Sequence, residues 1–335
     1  MIDEESVLLV VPVLNEEKHL EACIAGLLGQ DYRGPMTIVI VDGGSTDATQ
    51  AIAARIGTAH PNVRLLMNPR RIQSAAVNLA AASDLPGTIL VRADAHADYP
   101  PHFVSRCVEA LRANAADSVV VSMRTVGLRP FQRAVAAAQN SILGNGGSAH
   151  RRNTASRFVD HGHHAAFRRA FFLGVNGYDE TFTHNEDAEF DARAAAANGR
   201  IWLCAEATIT YYPRAEIGSL ARQYYHYGRG RARNLVRHRT RPKLRQLAPL
   251  LMTASAVTSL AIGAIEPLAL LVLAAYVALY AGWSVAAAVR MRDPAILAMG
   301  LAAAVMHISW SAGFLTMMAE AIRTRQMQAS SVTAS

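Results

Sequence analysis

The chain lacks the glycine-rich loops that usually announce a bound nucleotide. No G-x-G-x-x-G follows its first predicted strand, and no G-x-x-x-x-G-K-[ST] occurs anywhere. A dinucleotide-binding domain and a P-loop enzyme are therefore excluded. Cysteine is scarce: Cys23, Cys107 and Cys204 are scattered, with no C-x-x-C pair. That excludes a disulfide scaffold and a cysteine-based zinc framework, and it fits a reducing compartment. Charged residues are only 18% of the 335 and hydrophobic ones 51%, which excludes a disordered chain. No secretory leader is expected, because M-I-D-E-E-S opens on acids where a signal peptide carries positive charge. The N-terminal region is expected to stay in the cytoplasm.

What is present is unevenly spread. The formal net charge is +7. Between Arg214 and Arg245 stand ten basic residues and one acid, Glu216, a local +9 that leaves −2 for the rest. The basic character is thus local. Directly after it, Gln246 to Ala319 contains four charges: Glu266, Arg290, Arg292 and Asp293. Three apolar segments lie there, Leu247–Ile265, Leu268–Val289 and Ala295–Ala319. At ~1.5 Å per helical residue each can cross a hydrocarbon core of ~30 Å. They are rich in Ala and Gly, which allow membrane helices to pack closely. About three membrane-crossing helices are expected, with the basic stretch and Arg290/Arg292 on the cytoplasmic side. Arg323 and Arg325 then fall on the other side.

From Val7 to Met123, short apolar runs alternate with helical periodicity. Val7–Val13, Thr37–Val41, Val63–Met67, Thr88–Val91 and Val119–Met123 read as buried strands. Glu17–Leu28, a segment capped by Ser45 or Thr46 and running through Ile56, Ser74–Ala82 and His102–Ala113 read as helices. The pattern predicts an α/β domain: a mostly parallel sheet with helices on both faces, binding its ligand at the carboxyl ends of the strands.

Those ends carry the polar residues. The first strand ends in P-V-L-N-E-E (Pro12–Glu17), a turn able to receive a base or ribose edge, although Asn and Glu also cap helices. The second ends in V-D-G-G-S-T-D (Val41–Asp47), where two glycines allow close backbone approach. Asp42 there can accept the imide N–H of uracil. A turn and helix cap would account for Ser45 and Asp47 but not for an acid at the sheet's mouth. The fourth runs into R-A-D-A-H-A-D (Arg92–Asp98). If that segment is extended, Asp94 and His96 alternate onto one side and approach a single cation. Carboxylates suit Mg2+ or Mn2+, and an imidazole moves the preference toward Mn2+. Two ligands would need diphosphate oxygens to complete the shell.

Together, P-V-L-N-E, V-D-G-G-S-T-D and D-A-H resemble the nucleotide-binding half of the family-2 glycosyltransferases, which have the GT-A fold. The resemblance implies nucleotide-sugar binding by Pro12, Asn15, Glu16, Asp42, Arg71 and Asp94. Where that family has D-x-D, this chain reads Asp94-Ala95-His96, so His96, or Asp98 instead, is the second metal ligand. T-H-N-E-D-A-E-F-D-A-R (Thr183–Arg193) resembles the segment that supplies the catalytic base of inverting enzymes. That points to Asp187, with Glu186 beside it to raise its pKa. An acidic helix N-terminus is the plainer reading of the same residues. His161–Phe172 and Gly174–Glu180 resemble the acceptor-side strand and loop; the histidines are not spaced for zinc and suit substrate contacts or packing. R-Q-Y-Y-H-Y-G-R-G-R (Arg222–Arg231) is similar to a Q-x-x-R-W motif, with His226 and Tyr227 in place of Arg and Trp. Gln223, His226 and Arg229 are thereby the diphosphate and acceptor-side candidates. R-A-D-A-H (Arg92–His96), N-E-D-A-E (Asn185–Glu189), R-Q-Y-Y-H-Y-G (Arg222–Gly228) and the apolar C-terminal tail also resemble the succinoglycan glucosyltransferases of the ExoA type.

The expected organisation is a catalytic domain over 1–213, a basic amphipathic segment over 214–246, transmembrane helices over 247–320 and a flexible tail over 321–335. The expected function is a membrane-anchored inverting glycosyltransferase, taking sugar from a UDP-sugar to a lipid-linked saccharide. Mn2+ or Mg2+ would be its cofactor and anionic headgroups its lipid contact. A polyprenyl-phosphate sugar synthase is the alternative enzyme. A basic arm for nucleic acid or anionic lipid is the non-enzymatic one, and it leaves Asp42, Asp94 and Asp187 unexplained, so no nucleic-acid partner is expected.

Overall fold

The computed structural model describes residues 5–146 and 155–333, and it divides into two compact units. The first comprises Met1–Arg124 with Ala149–Tyr211, the second Thr125–Ser148 with Tyr212–Ser335. The 1–213 boundary therefore misses a segment. Residues following the sixth strand fold with the C-terminal helices, because their apolar side chains join that unit's core.

In the first unit, V-L-L-V-V-P-V forms β1 (Val7–Val13), followed by α1 (Leu20–Leu28), β2 (Met36–Asp42), α2 (Thr49–Ala59), β3 (Val63–Met67), α3 (Gln73–Ala82) and β4 (Ile89–Arg92). Side chains alternate across a strand, so Val7, Leu9 and Val11 enter one core with Leu20, Ile24 and Phe103. Leu8 and Val10 enter another with Val77, Phe172 and Phe190. Burial on both faces is why the run is continuously apolar. Leu8 and Leu9 are fully buried, each contributing ~1.5–3 kcal/mol relative to exposure.

Next come β5 (Ala97–Asp98), α4 (Phe103–Ala113), β6 (Ser118–Thr125), α5 (Pro130–Asn140), α6 (Ile142–Asn145), β7 (Arg157–Phe158), β8 (His163–Arg168), α7 (Arg169–Gly174), α8 (Glu186–Ala196) and β9 (Ile201–Tyr211). The sheet order is β3-β2-β1-β4-β8-β6-β9-β5, with β7 on β9. Strands β1 to β4 are mutually parallel, but β8 inserts antiparallel between β4 and β6. The sheet is mixed rather than mostly parallel. The chain returns to fill the gap between β4 and β6 only after an excursion into the second unit.

That second unit contains α5, α6, α9 (Ile217–His238), α10 (Leu244–Gly263), α11 (Leu270–Met291) and α12 (Met299–Thr333). Val135, Leu220, Met299, Ala303 and Met306 share its core. The basic segment is thus a long regular helix, and α12 continues through most of the expected flexible tail. Gly228 of α9 and Gly313 of α12 let these two helices touch backbone to backbone. A Cβ on Gly228 would stand 2.0 Å from the Trp310 carbonyl oxygen, and one on Gly313 2.0 Å from that of Tyr225. Among the described residues, three stretches, Leu244–Gly263, Pro267–Met291 and Pro294–Gln328, are long and apolar enough to cross a membrane. Their mean hydropathies are 1.4, 2.0 and 1.6.

Candidate active site

Where β1 and β2 end, their loops bind each other. Asn15 has a left-handed backbone, φ 58°, which Asn tolerates better than most residues. Its Oδ1 accepts Thr46 N at 2.8 Å, and its own N donates to Ser45 Oγ at 2.9 Å. Glu16 N donates to Thr49 Oγ1 at 2.8 Å. Asp42 is completely buried. Its Oδ1 accepts from Gly44 N at 2.8 Å, Ser45 N at 2.9 Å and Gln50 Nε2 at 3.0 Å, and its Oδ2 from Ser45 Oγ at 2.5 Å. This accounts for the acid at the strand end: it builds the loop from inside. Ser45 and Thr46 serve the same junction and do not cap a helix. Helix α2 begins at Thr49, whose N donates to Asp47 Oδ1 at 3.0 Å.

Beneath these loops opens a cleft of about 230 Å³, lined among others by Pro12, Glu16, Gly43, Arg71, Asp94 and His96. Five expected nucleotide-sugar and metal residues thus meet in one depression. Asn15 and Asp42 stand outside its lining. Arg71 too is left-handed (φ 60°), and its Nη2 donates to Gly44 O at 3.3 Å.

Asp94 and His96 do not alternate along an extended strand. Ala97 N closes a turn onto Asp94 O at 3.2 Å. His96 Nδ1 lies 3.0 Å from Glu16 Oε1, while Asp94 Oδ1 accepts from Gln73 Nε2 at 2.6 Å. Asp98 lies on β5, in register with Thr210, outside the lining. Among the described residues, no three His, Cys, Asp or Glu side chains are gathered to hold a metal ion. The donors do suit one: a carboxylate and an imidazole line the same cleft, and a nucleotide diphosphate would bring further oxygens. Burial would raise the Asp94 pKa, but Arg92, His163 and His96 hold it below the usual range.

The second half of the site holds Asp187 and Glu186, the expected catalytic pair, but the residues that hold them were not foreseen. Arg92, the last residue of β4, is 5% exposed and surrounded by acids. Its Nη1 stands 3.0 Å from Asp187 Oδ1, 3.3 Å from Glu186 Oε1 and 3.2 Å from the Tyr178 hydroxyl. Its Nε makes no hydrogen bond and lies 3.6 Å from Asp94 Oδ1. Tyr178 donates to Asp187 Oδ1 at 2.8 Å. His163 stands between the two halves, Nε2 3.9 Å from Asp94 Oδ2 and Nδ1 3.8 Å from Asp187 Oδ2. One guanidinium and one imidazole thus link the cleft's carboxylate to the carboxylates opening α8.

Electrostatics separates the acidic pair. Burial, then the neighbouring Asp187, pushes Glu186 up to about 7, although Arg92 opposes this. Burial acts upward on Asp187 too, but Arg92, His164, His163 and the Tyr178 hydrogen bond hold it below the usual carboxylate range. Asp187 is therefore ionised at neutral pH. The expected rise beside Glu186 is not found, because Arg92, His164, His163 and Tyr178 together outweigh burial at Asp187.

Gln223, His226 and Arg229 lie on α9 in the second unit. Gln223 Nε2 donates to the Tyr227 hydroxyl at 3.0 Å. The His226 ring meets Tyr225 edge to face, centroids 5.8 Å apart. Arg229 is gripped by both carboxylate oxygens of Glu320 at 2.8 Å.

Comparison with known proteins agrees with this architecture. The sequence model for glycosyl transferase family 2 matches residues 8–174. The succinoglycan biosynthesis protein ExoA of Rhizobium meliloti is 47% identical, with 92% of this chain and 94% of that protein covered. Among solved structures, a mannosyltransferase from Pyrobaculum calidifontis, determined with GDP-Man and Mn2+, superposes with a TM-score of 0.58. It is 24% identical and covers 93% of this chain and 86% of its own. GalNAc-T7, determined with UDP, GalNAc and Mn2+, gives 0.52 at 14% identity, covering 69% of this chain and 51% of its own. These two share the fold, the GT-A arrangement expected from the motifs. The length and closeness of the match to the Rhizobium protein, together with the family-model match, show that this chain is a family 2 glycosyltransferase.

Proposed function

We propose that this enzyme is a membrane-anchored inverting transferase that moves a sugar, glucose, from a UDP-sugar to a hydroxyl of a lipid-linked saccharide. The process would be exopolysaccharide assembly of the succinoglycan type, a reading supported by the name and near-complete coverage of the Rhizobium relative. The observation that carries the chemistry is Asp187: ionised, fixed by Arg92 and Tyr178, and joined through His163 to a cleft shaped for a nucleotide diphosphate.

In this reading the donor lies under the β1 and β2 loops, against Pro12 and Glu16, with Asp42 shaping the loop rather than touching the base. Arg71 faces the diphosphate. Asp94 and His96 would hold Mn2+ or Mg2+ jointly with diphosphate oxygens, and that ion would neutralise charge on the leaving group. Asp187 takes the proton from the acceptor hydroxyl as its oxygen bonds to the anomeric carbon. Attack comes from the side opposite the departing diphosphate, so the configuration inverts. Arg92 keeps Asp187 ionised and aimed, and His163 bars its rotation toward Asp94. Gln223 and His226 are proposed on the acceptor side, and Arg229 too once released from Glu320. The basic residues of α9 would rest on anionic headgroups of the cytoplasmic membrane, at about 1 kcal/mol each near the surface. The catalytic unit then faces the cytoplasm.

The test is UDP release by purified membranes offered a panel of UDP-sugars, comparing wild type with Asp187→Asn. Loss of a general base costs ~10²–10⁴-fold in rate, while calorimetric binding of UDP with Mn2+ stays unchanged. Full activity in Asp187→Asn would instead favour transfer to a lipid phosphate, which needs no base. Absence of metal-dependent UDP binding would overturn the nucleotide-sugar reading.

A further inference from the structure

Behind Asp187 lies a chain of polar groups that the proposed reaction does not use. Asp187 and Asp191 are four residues apart on α8 and share its sheet-facing side. Asp191 Oδ1 stands 2.6 Å from His164 Nε2, and its Oδ2 2.5 Å from His161 Nδ1. The other nitrogen of His164, Nδ1, lies 2.6 Å from Ser118 Oγ on β6. His164 and Ser118 are completely buried and Asp191 is 4% exposed. The His164 ring stacks on Phe167, with centroids 5.0 Å apart.

Serine, histidine and aspartate in that order have the hydrogen-bond pattern of a nucleophilic triad. Here the serine lies inside the sheet and no substrate reaches it. A structural account fits better, yet packing alone would be served by apolar residues at lower desolvation cost. What the chain provides instead is an imidazole with an oxygen acceptor on each nitrogen, on the strand that also carries His163, beside the helix that carries Asp187.

We propose that His164, clamped between Ser118 and Asp191, is a positioning residue for Asp187: it ties the middle of α8, one turn beyond Asp187, to β8 and sets, from behind, the charge environment in which Asp187 accepts its proton. This rests on Asp187 being the base. Two ring N–H groups facing two oxygens satisfy the doubly protonated imidazole completely. Burial opposes that charge, but Asp191 outweighs burial and raises the His164 pKa. The cation so held is one of the groups that keep Asp187 ionised. Arg92 and His163 act on Asp187 from the cleft side, and Glu186 and Asp94 oppose them; His164 is the contribution from inside the sheet.

The experiment replaces His164 with Gln, which keeps a donor and an acceptor but binds no proton. Profiles of kcat against pH, carried below the usual carboxylate range so that the acid limb of Asp187 is covered, are compared with wild type, alongside the KM for UDP-sugar. The expected result is an acid limb moved upward by about half a pH unit or more, with KM within about twofold. Ser118→Ala, which removes only the acceptor of Nδ1–H, moves the limb the same way by less. It decides the matter alone if His164→Gln does not fold. An acid limb that stays in place, whether kcat falls evenly at all pH values or not at all, overturns the proposal. Asp187→Asn separates the two ideas: if inactive, an unmoved limb refutes His164 alone, whereas if active the base assignment itself fails.

Discussion

Replacing Arg92 with methionine tests the core of the site most directly. The guanidinium is 5% exposed, and the facing side chains of Asp94, Glu186 and Asp187 are 18%, 12% and 16% exposed. Methionine fills similar volume but leaves three carboxylates without their shared cation. Removing one partner of a buried ion pair costs about 3–5 kcal/mol, because the remaining charge is neither solvated nor paired. For a unit of this size that is a fall in Tm of about 6–20 °C. The pH dependence gives the cause. Asp94 and Asp187 have folded pKa values below their unfolded ones, so their contribution to stability is present above an unfolded value near 3.8 and is lost as pH falls through the folded one. Glu186 runs the other way. Its folded value of about 7 exceeds the unfolded 4.5, so it favours the folded state below pH 4.5 and loses that effect as pH rises through 7. Without Arg92 all three shift upward. The gap between wild type and Arg92→Met is therefore widest at pH 7–8 and narrows toward pH 4. Arg92→Lys recovers part of the loss, since an ammonium restores the charge without the fork that reaches two sides. Thermal melts of detergent-solubilised protein across pH 4–8 measure this. A gap below about 1 kcal/mol at pH 7.5, or one that does not narrow with acid, would refute the claim that Arg92 is the shared counter-ion.

Asp42→Ala removes the acceptor of four hydrogen bonds inside the β2 loop. At about 1–3 kcal/mol for each buried group left unpaired, the loop beside Gly43 loosens and KM for the nucleotide-sugar donor rises about tenfold. Unchanged KM would show that Asp42 does not shape the cleft. On α9, Gly228→Ala forces its Cβ against the Trp310 carbonyl oxygen and costs about 1–3 kcal/mol. Gly218→Ala on the same helix meets nothing within 4 Å and is neutral or stabilising by up to ~1 kcal/mol. Equal melting temperatures for the two variants would contradict the close α9–α12 crossing.

The half of the site that the sequence disclosed and the half it hid differ in how they are assembled. Pro12, Glu16 and Arg71 come from stretches in which strand, turn and helix follow one another, and Asp94 and His96 from the turn after β4, so local patterning could place them at strand ends. Asp42 was located correctly, but its task was not legible, because its partners Ser45 and Gln50 are backbone and side-chain donors whose directions depend on the loop's dihedrals. The sheet was misread for a related reason. H-H-A-A-F-R has no clear strand periodicity, and nothing local says that it will pair between β4 and β6 after the chain has been through another unit. Once β8 takes that place, His163 is brought to Asp94 and Asp187, and His164 to Ser118 and Asp191. Arg92 ends I-L-V-R, where a charge looks like the point at which a strand meets solvent. It is instead buried, because α8 returns from far along the chain and sets Glu186 and Asp187 against it. A carboxylate held by an arginine and a tyrosine, with His163 3.8 Å away, all from separate segments, leaves no spacing to read. The same dispersal lets Asp94, in the cleft, and Asp187, in the first turn of α8, share a single buried cation.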